Sequence, residues 1–318
     1  MNGISTASPR LVVFGEALID FKSTGGLGFQ GFVGGSPLNV AMAAARLGLP
    51  AALATRVSTD LFGEAIMAHL AANGIDVSLL ERSSEPSTLA FVQTVNGDAR
   101  YSFRNEGAAD TRFNPPDSSV LPDTVQAIHL GSVALLYEPG ASAIMRLSSA
   151  RAARSVVHFD PNIRPSLIID RAAHLTRFEA VLGFTGWLKL STEDLEWLAP
   201  GEPEASAAGR WLERGPAAVV VTRGRDGCAL YRAGQPPLVL PGQAVTVRDT
   251  VGAGDTFSGA TIQSLLALGV TSRSGIARLT IDQLQWVLGR ATRAAAINCT
   301  RQGCDPPTTA ELDGRPGA

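Results

Sequence analysis

The stretch Asp249-Thr250-Val251-Gly252-Ala253-Gly254-Asp255-Thr256-Phe257-Ser258-Gly259 places Gly252, Gly254 and the Asp255 carboxylate where a turn becomes a helix. The two glycines let backbone approach a ligand closely. The apolar run 260–270 continues at helical spacing, so the free N–H groups of the helix start point outward and attract anions. Asp255, in the first turn, is placed to take a proton from a hydroxyl while the amides of Gly252, Ala253 and Gly254 neutralise charge on a transferred phosphoryl group. An aspartate with an ordinary pKa of about 3.9 holds little alkoxide in the ground state. A loose transition state needs only late proton acceptance, which contributes roughly 10²–10⁴-fold. Taken alone, Gly-x-Gly-Asp is also a glycine turn followed by a helix cap; the length of the stretch favours a phosphoryl-transfer site.

Outward from this stretch, strand and helix alternate. Residues 10–20 form a β-rich run, and 37–47 an alanine-rich helix closed by Gly48. Residues 51–55 read as a strand, and Asp60 caps a helix over 61–73 that Gly74 ends. Buried strands are expected at 127–130, 155–159, 187–190 and 217–222, with helical patterns at 141–153 and 205–214 between them. The alternation implies an α/β domain with a mainly parallel sheet covered on both faces. One segment breaks the rhythm. The β-prone runs 88–95 and 99–104, joined by Asn96-Gly97-Asp98, form a hairpin signal. Its apolar Leu89, Phe91, Tyr101 and Phe103 need something to cover, a ligand in a cleft or the same flap of a second subunit. Only the tail after Pro306 reads as loose.

The chain has 318 residues, 45% hydrophobic and 18% charged, enough for one large domain with a full core. A net charge of −2 gives no case for nucleic acid, and no segment has the apolar length to span a bilayer. Met1-Asn2-Gly3-Ile4-Ser5-Thr6 lacks the basic start and apolar core of a signal peptide, so a cytoplasmic location is expected. Cys228, Cys299 and Cys304 form no Cys-x-x-Cys and are expected as free thiols. His69, His129, His158 and His174 form no zinc-binding pair and are expected to pack in the core or at the surface.

Two motifs, Gly34-Gly35-Ser36-Pro37-Leu38-Asn39-Val40-Ala41 leading into a helix and the stretch from Asp249, together resemble the ribokinase-like (PfkB) sugar kinases over essentially the whole chain. The resemblance implies a three-layer α/β/α domain spanning 1–318, with a β-lid formed by segments near 20–35 and 88–104. Gly15-Glu16-Ala17-Leu18-Ile19-Asp20, Phe159-Asp160-Pro161-Asn162-Ile163-Arg164 and Leu188-Lys189-Leu190-Ser191 resemble fructokinases and 2-keto-3-deoxygluconate kinases more than ribokinases or nucleoside kinases. By this resemblance Asp20, Gly34, Gly35 and Asn39 bind sugar hydroxyls. Arg104 and Arg164 reach the acceptor or the incoming phosphate. If both arginines clasp a carboxylate, the acceptor is a keto-acid sugar; if not, a neutral ketose suffices. Without the motif, Asp20 also reads as a strand-end turn, Asn39 as a helix cap and each arginine as surface.

The segment Thr222-Arg223-Gly224-Arg225-Asp226-Gly227 follows a buried strand and resembles the family's ATP-side loop, with Thr222, Gly224, Gly227 and Gly254 beside the nucleotide. As a bare pattern it is a β-turn. Lys189 and Ser191 approach the phosphates by the same resemblance. Ser191-Thr192-Glu193-Asp194 stands where many relatives carry Asn-x-x-Glu, leaving Asp194 or Glu193 to act on Mg²⁺ through water. Some relatives bind a monovalent cation, K⁺ being the expected one, at the positions of Asp249, Val251 and Gly303.

Three rival readings fit the sequence less well. Gly26-Leu27-Gly28-Phe29-Gln30-Gly31 matches a dinucleotide-binding pattern, but Phe32-Val33-Gly34-Gly35 intervenes before the helix. No Gly-x-x-x-x-Gly-Lys-Ser/Thr occurs. A sugar-binding protein without chemistry is opposed by the intact Asp255 and its glycine loop. The resulting expectation is an ATP-dependent kinase acting on the primary hydroxyl of fructose, with 2-keto-3-deoxygluconate as the alternative acceptor and a homodimer through the lid.

Overall fold

The computed structural model describes residues 8–95, 98–115 and 121–314. Strand β1 (Leu11–Phe14) leads through Gly15 into β2 (Leu18–Gly25) and β3 (Gly28–Gly34). Then come α1 (Ser36–Arg46), β4 (Ala51–Ala54), β5 (Arg56–Ser58), α2 (Leu61–Ala72), β6 (Glu81–Ser83), β7 (Leu89–Val95) and β8 (Asp98–Arg104). The chain next alternates through β9 (Ala127–Gly131), α3 (Gly140–Arg151), β10 (Val156–Asp160), α4 (Arg171–Leu182), β11 (Trp187–Ser191), α5 (Thr192–Leu198), α6 (Glu204–Leu212) and β12 (Ala218–Thr222). It closes with β13 (Cys228–Tyr231), β14 (Leu238–Leu240), α7 (Ala253–Ala267), α8 (Arg273–Ala277), α9 (Ile281–Cys299) and α10 (Thr309–Leu312).

The main sheet has eight strands in the order β14-β13-β12-β11-β10-β9-β1-β4, parallel from β4 to β12 and antiparallel at β13 and β14. Both faces are covered, which is why its strands read as continuous apolar runs. Leu11 and Val13 point to the layer of α1, α2, α7 and α9, whereas Val12 and Phe14 point to the layer of α3, α4 and α6. The result is a three-layer α/β/α domain. Local signals hold at the predicted places: Asp60 Oδ1 accepts from Gly63 N–H at 2.8 Å to cap α2, and Gly48 (φ 79°) and Gly74 (φ 65°) follow the ends of α1 and α2.

A second sheet of four strands, ordered β3-β2-β7-β8, stands apart from the first. The run expected over 10–20 is therefore two strands in two sheets. The stretch 26–31 lies in the β2–β3 turn and along β3, not in a strand-to-helix turn, so it has no dinucleotide-binding geometry. The hairpin residues Asn96 and Gly97 lie outside the described residues, as do Met1 to Thr6. The four apolar side chains of the hairpin separate by register. Leu89 and Phe91 share one face with Phe21, where Phe21 stacks on Phe91 and meets Phe62 of α2 edge-on. Tyr101 and Phe103 share the other face with Asp20 and Lys22.

The segment after Pro306 is not loose up to Gly314. Thr308 and Glu311 form a capping box on α10, Leu312 is buried, and Glu311 and Asp313 pair with Arg301 and Arg290. The three cysteines are free, and His129 and His158 are buried against each other with Nδ1 atoms 3.0 Å apart. Among the described residues no helix is long and apolar enough to cross a membrane.

Candidate active site

A cavity of about 460 Å³ opens where the C-terminal ends of the main-sheet strands meet the inner face of the second sheet. This is where open α/β sheets hold ligands. Glu16 follows β1, Asn162 and Arg164 follow β10, Ser191 ends β11 and Thr222 ends β12; Asp20, Lys22, Tyr101 and Phe103 face them from the second sheet. The start of α7 forms the remaining wall, with Gly252, Ala253, Gly254 and Asp255. Gly252 is the N-cap in the left-handed region (φ 74°), and a Cβ there would lie 2.2 Å from Cys304 Sγ, so only glycine turns this corner. The Ala253 N–H closes a turn onto the Thr250 carbonyl at 3.2 Å. Of the three amides expected to face an anion, that one is engaged within the loop.

Asp255 is buried, and both its oxygens are held by the start of α1: Oδ1 accepts from Ser36 Oγ at 2.7 Å and Oδ2 from Asn39 Nδ2 at 2.8 Å. Asn162 Nδ2 donates to the same Ser36 Oγ at 2.6 Å, which fixes that hydroxyl's proton toward the carboxylate. Burial raises the Asp255 pKa, the bonds from Asn39 and Ser36 draw it back, and the net shift is upward. A carboxylate so placed is a stronger base than a solvated one. Asn39 therefore orients Asp255 as well as lining the cavity; its Oδ1 is buried without a protein partner.

Beneath α7 lies a buried ion pair. Lys189 Nζ donates to Asp160 Oδ2 at 2.8 Å, and Ser258 Oγ of α7 reaches the same oxygen at 3.3 Å. A Cβ on Gly254 would stand 3.0 Å from Lys189 Nζ, so the ammonium lies directly against the glycine turn. Burial lowers the Lys189 pKa, but Asp160 and Asp194 outweigh it and hold the ammonium charged. Asp194 lines the cavity wall with both oxygens engaged: Oδ1 accepts from Ile163 N–H at 2.7 Å, and Oδ2 accepts from Ser191 N–H and Oγ, each at 2.9 Å. It closes the capping box of α5.

On the opposite wall burial pushes the Asp20 carboxyl up to about 6 against the pull of Arg164 and Lys22, with Asp255 adding to the rise. Gly34 stands beside this carboxylate and Gly35 is the N-cap of α1. Arg164 lies over the Tyr101 ring, its carbon 5.8 Å from the centroid. Glu16, fully buried, is pushed to about 7 by desolvation against its bond from Ser132 Oγ, and its Oε2 has no partner.

Arg104 is not brought to the cavity. Its register partner is Leu89, so it lies on the outer face, where its guanidinium donates to Ser102 Oγ and the Phe103 carbonyl. The period of two that sends Tyr101 and Phe103 inward sends Arg104 outward. Ser36, Asn162 and Glu16 line the site and Asp160 holds Lys189 beneath it; none has a role of its own in the sequence reading, though all four sit inside the quoted motifs. Tyr101, read there only as an apolar flap residue with something to cover, lines the cavity.

A second, more apolar cleft of about 600 Å³ abuts the first across Thr250, Ala253 and Gly254. It is lined by Thr222, Gly224 and Gly227 on one side and by Val245, Val247 and Ala295 on the other. The expected cation residues are also adjacent. Asp249 accepts from Lys22 Nζ, from Gly303 N–H at 2.9 Å and from Val251 N–H at 3.1 Å, while the Val251 carbonyl accepts from Asn298 Nδ2 at 2.8 Å.

The model of the pfkB family of carbohydrate kinases matches residues 8–311. The chain is 37% identical over 276 residues to a fructokinase from Rhizobium leguminosarum bv. trifolii, covering 85% of this chain and 84% of that one. It is 31% identical over 320 residues to fructokinase-1 of Oryza sativa subsp. japonica, covering 96% of each. Among solved structures, a fructokinase with bound ATP from Xylella fastidiosa superposes with a TM-score of 0.86 at 27% identity, over 96% of this chain and 97% of that chain.

Proposed function

The chain belongs to the pfkB family of carbohydrate kinases, and from that premise we propose that it is an ATP-dependent fructokinase, transferring the γ-phosphoryl group to the primary hydroxyl of fructose to give fructose 6-phosphate. The observation that carries this reading is Asp255: a raised, buried carboxylate held by Ser36 and Asn39 at the junction between a polar cavity and an apolar cleft. The fructokinase relatives supply the acceptor class.

In the proposed reaction Asp255 takes the hydroxyl proton, the freed oxygen attacks the γ-phosphorus, and the bond to the β-phosphate oxygen breaks to release ADP. The amides of Gly252 and Gly254, with Lys189 behind them, neutralise the developing charge; Ala253 shapes the turn. Asp20, Asn39, Gly34 and Gly35 take sugar hydroxyls, and Arg164 meets the acceptor and its new phosphate. The adenine enters the apolar cleft against Thr222, Gly224 and Gly227, with Ser191 toward the phosphates. One kinase domain is proposed, with the β3-β2-β7-β8 sheet as its lid, which keeps water from competing as acceptor. The exposed Leu27 and Phe29 of the β2–β3 hairpin are proposed to meet the same sheet of a second copy, which sedimentation would register as a dimer mass.

Two ions are implied by the family. Mg²⁺ needs few protein ligands beside ATP phosphates and water. Among the described residues no cluster of three acidic, His or Cys groups forms a cage. That donor set fits an ion carried by the nucleotide. Asp194, its oxygens engaged, and the exposed Glu193 would act on it through water, and the ion would offset phosphate charge. K⁺ does not fit the residues expected to hold it, because the ammonium of Lys22 already occupies the Asp249 carboxylate that would ligate the ion.

With Arg104 outside the cavity, the second guanidinium that would favour a carboxylated acceptor is missing, so the 2-keto-3-deoxygluconate reading is not favoured. ADP release from Mg-ATP with fructose, 2-keto-3-deoxygluconate, ribose or adenosine, each against an acceptor-free control, tests the proposal. Fructose-dependent release is expected; release with another acceptor, or with none, would overturn it.

A further inference from the structure

We propose that the ammonium of Lys22 stands in for the monovalent cation at the loop preceding α7, so that this kinase needs no potassium and the loop is ordered by the strand that carries Lys22. The inference rests on the kinase reading for its catalytic consequence, though not for the ion site itself.

Lys22 lies on β2 of the second sheet, 227 residues before Asp249, and its Nζ donates to Asp249 Oδ2. The same oxygen accepts from Gly303 N–H at 2.9 Å, and Oδ1 accepts from Val251 N–H at 3.1 Å. What faces the carboxylate is thus one full positive charge and two amide dipoles, which is the balance a bound monovalent ion would otherwise supply. The Val251 carbonyl, another of the oxygen ligands expected there, accepts from Asn298 Nδ2 of α9 at 2.8 Å and keeps a second lone pair, so the Lys22 ammonium is what stands in the ion's place. Both groups are sheltered, with side-chain exposures of 25% for Lys22 and 16% for Asp249, so the pair is screened less than a surface bridge. The Lys22 ammonium also lies 5.5 Å from the centre of the Phe32 ring on β3, which fixes its direction. Burial raises the Asp249 pKa, but the bonds from Lys22, Gly303 and Val251 outweigh it and keep the carboxylate ionised.

Asp249 and Val251 are the residues just before Gly252, whose left-handed turn aims the start of α7. Holding Asp249 holds that turn. A potassium ion would do so from solution; Lys22 does so from the second sheet, two residues beyond Asp20 on the same strand and the same face. Acceptor contact and loop order are thereby mechanically joined, and Lys22 is a positioning residue.

The test uses the full chain and two variants, Lys22→Ala and Lys22→Met, in KCl and in choline chloride matched at roughly 0.1 M ionic strength. Three quantities are read: thermal midpoint, thallium(I) bound at equilibrium dialysis, and fructose-dependent ADP release. The unsubstituted chain is expected to show the same midpoint and turnover in both salts and no stoichiometric thallium. Both variants are expected to lose roughly 10–100-fold in turnover in choline, to recover in potassium, and to gain a potassium-specific rise in midpoint together with one bound thallium. A potassium-dependent midpoint or turnover in the unsubstituted chain overturns the proposal. So do variants that match the unsubstituted chain in choline, or that lose turnover which potassium does not restore. The midpoint and thallium readings need no sugar phosphorylation, so a chain inactive on every acceptor refutes the kinase reading while leaving the ion site tested.

Discussion

At Asp255 four interactions meet: Ser36 and Asn39 hold the two oxygens, and Asp160 and Lys189 beneath set opposing charges. The carboxylate is therefore fixed in rotamer and raised in pKa before a substrate arrives. Replacing it with Asn keeps the shape and removes the base. Asp255→Asn is expected to bind fructose and ATP near-normally by calorimetry while turnover falls at least about 10²-fold; near-normal turnover would refute its role as base. The arginines give a second contrast. Arg164→Ala is expected to raise KM for the sugar by roughly tenfold or more, as lost charge-assisted bonds to substrate. Arg104→Ala, on the outer face, is expected to leave both substrates' KM values unchanged, and equal damage from the two substitutions would contradict their placement.

Elements matter here through how closely two helices cross. Ser36 and Asn39 reach Asp255 because α1 packs directly on α7, and at Gly259 the two backbones come close enough to leave no room for a Cβ. A Cβ there would lie 2.7 Å from Ala43 Cβ and 2.9 Å from the Val40 carbonyl oxygen, distances that backbone cannot absorb without moving. Gly259→Ala is expected to part the two helices, costing roughly 1–3 kcal/mol of stability in a denaturant titration. The same shift lengthens both bonds to Asp255, so turnover should fall more than sugar affinity does. Unchanged stability with unchanged turnover would mean that α1 and α7 are less tightly coupled than their contact implies. The second sheet works by alternation: Asp20, Lys22, Tyr101 and Phe103 face the cavity while Phe21 and Phe91 stack on the opposite face, where Phe21 meets Phe62 of α2.

For the whole molecule, the site concentrates carboxyl groups that folding makes harder to ionise. Glu16 is the clearest, pushed from 4.5 to about 7 by desolvation. The folded chain holds this proton where the unfolded chain has lost it, so the stabilisation is complete below about pH 4.5 and disappears as pH rises through about 7. Glu16→Gln cannot ionise. It is expected to stabilise the fold relative to the unsubstituted chain more at about pH 8 than at about pH 5, by on the order of 3 kcal/mol at most, read as a midpoint difference that widens with pH. A gap that does not grow with pH would show that Glu16 ionises freely in the fold. Asp20, raised to about 6, gives the corresponding kinetic signature, a contribution to the fall in kcat/KM for the sugar below that pH that Asp20→Asn would remove while leaving the fall set by Asp255. Much of this architecture was legible in advance. The strands at β9, β10, β11 and β12 and the caps of α1 and α2 were expected nearly where they lie, because burial on both faces and capping chemistry write themselves into neighbouring residues. The antiparallel β13 and β14, the order around α10 and the split between β1 and β2 were not, since short strands and tail contacts draw their stability from distant partners. By itself the sequence determined the layered α/β class, the glycine turn and the Asp255 carboxylate, all encoded within a few consecutive residues. Only the tertiary structure decided that Ser36 and Asn162 orient that carboxylate, that Arg104 faces away, and that Lys22 reaches Asp249. Those contacts join residues far apart in the chain, and strand register and helix crossing, not local spacing, decide which of them meet.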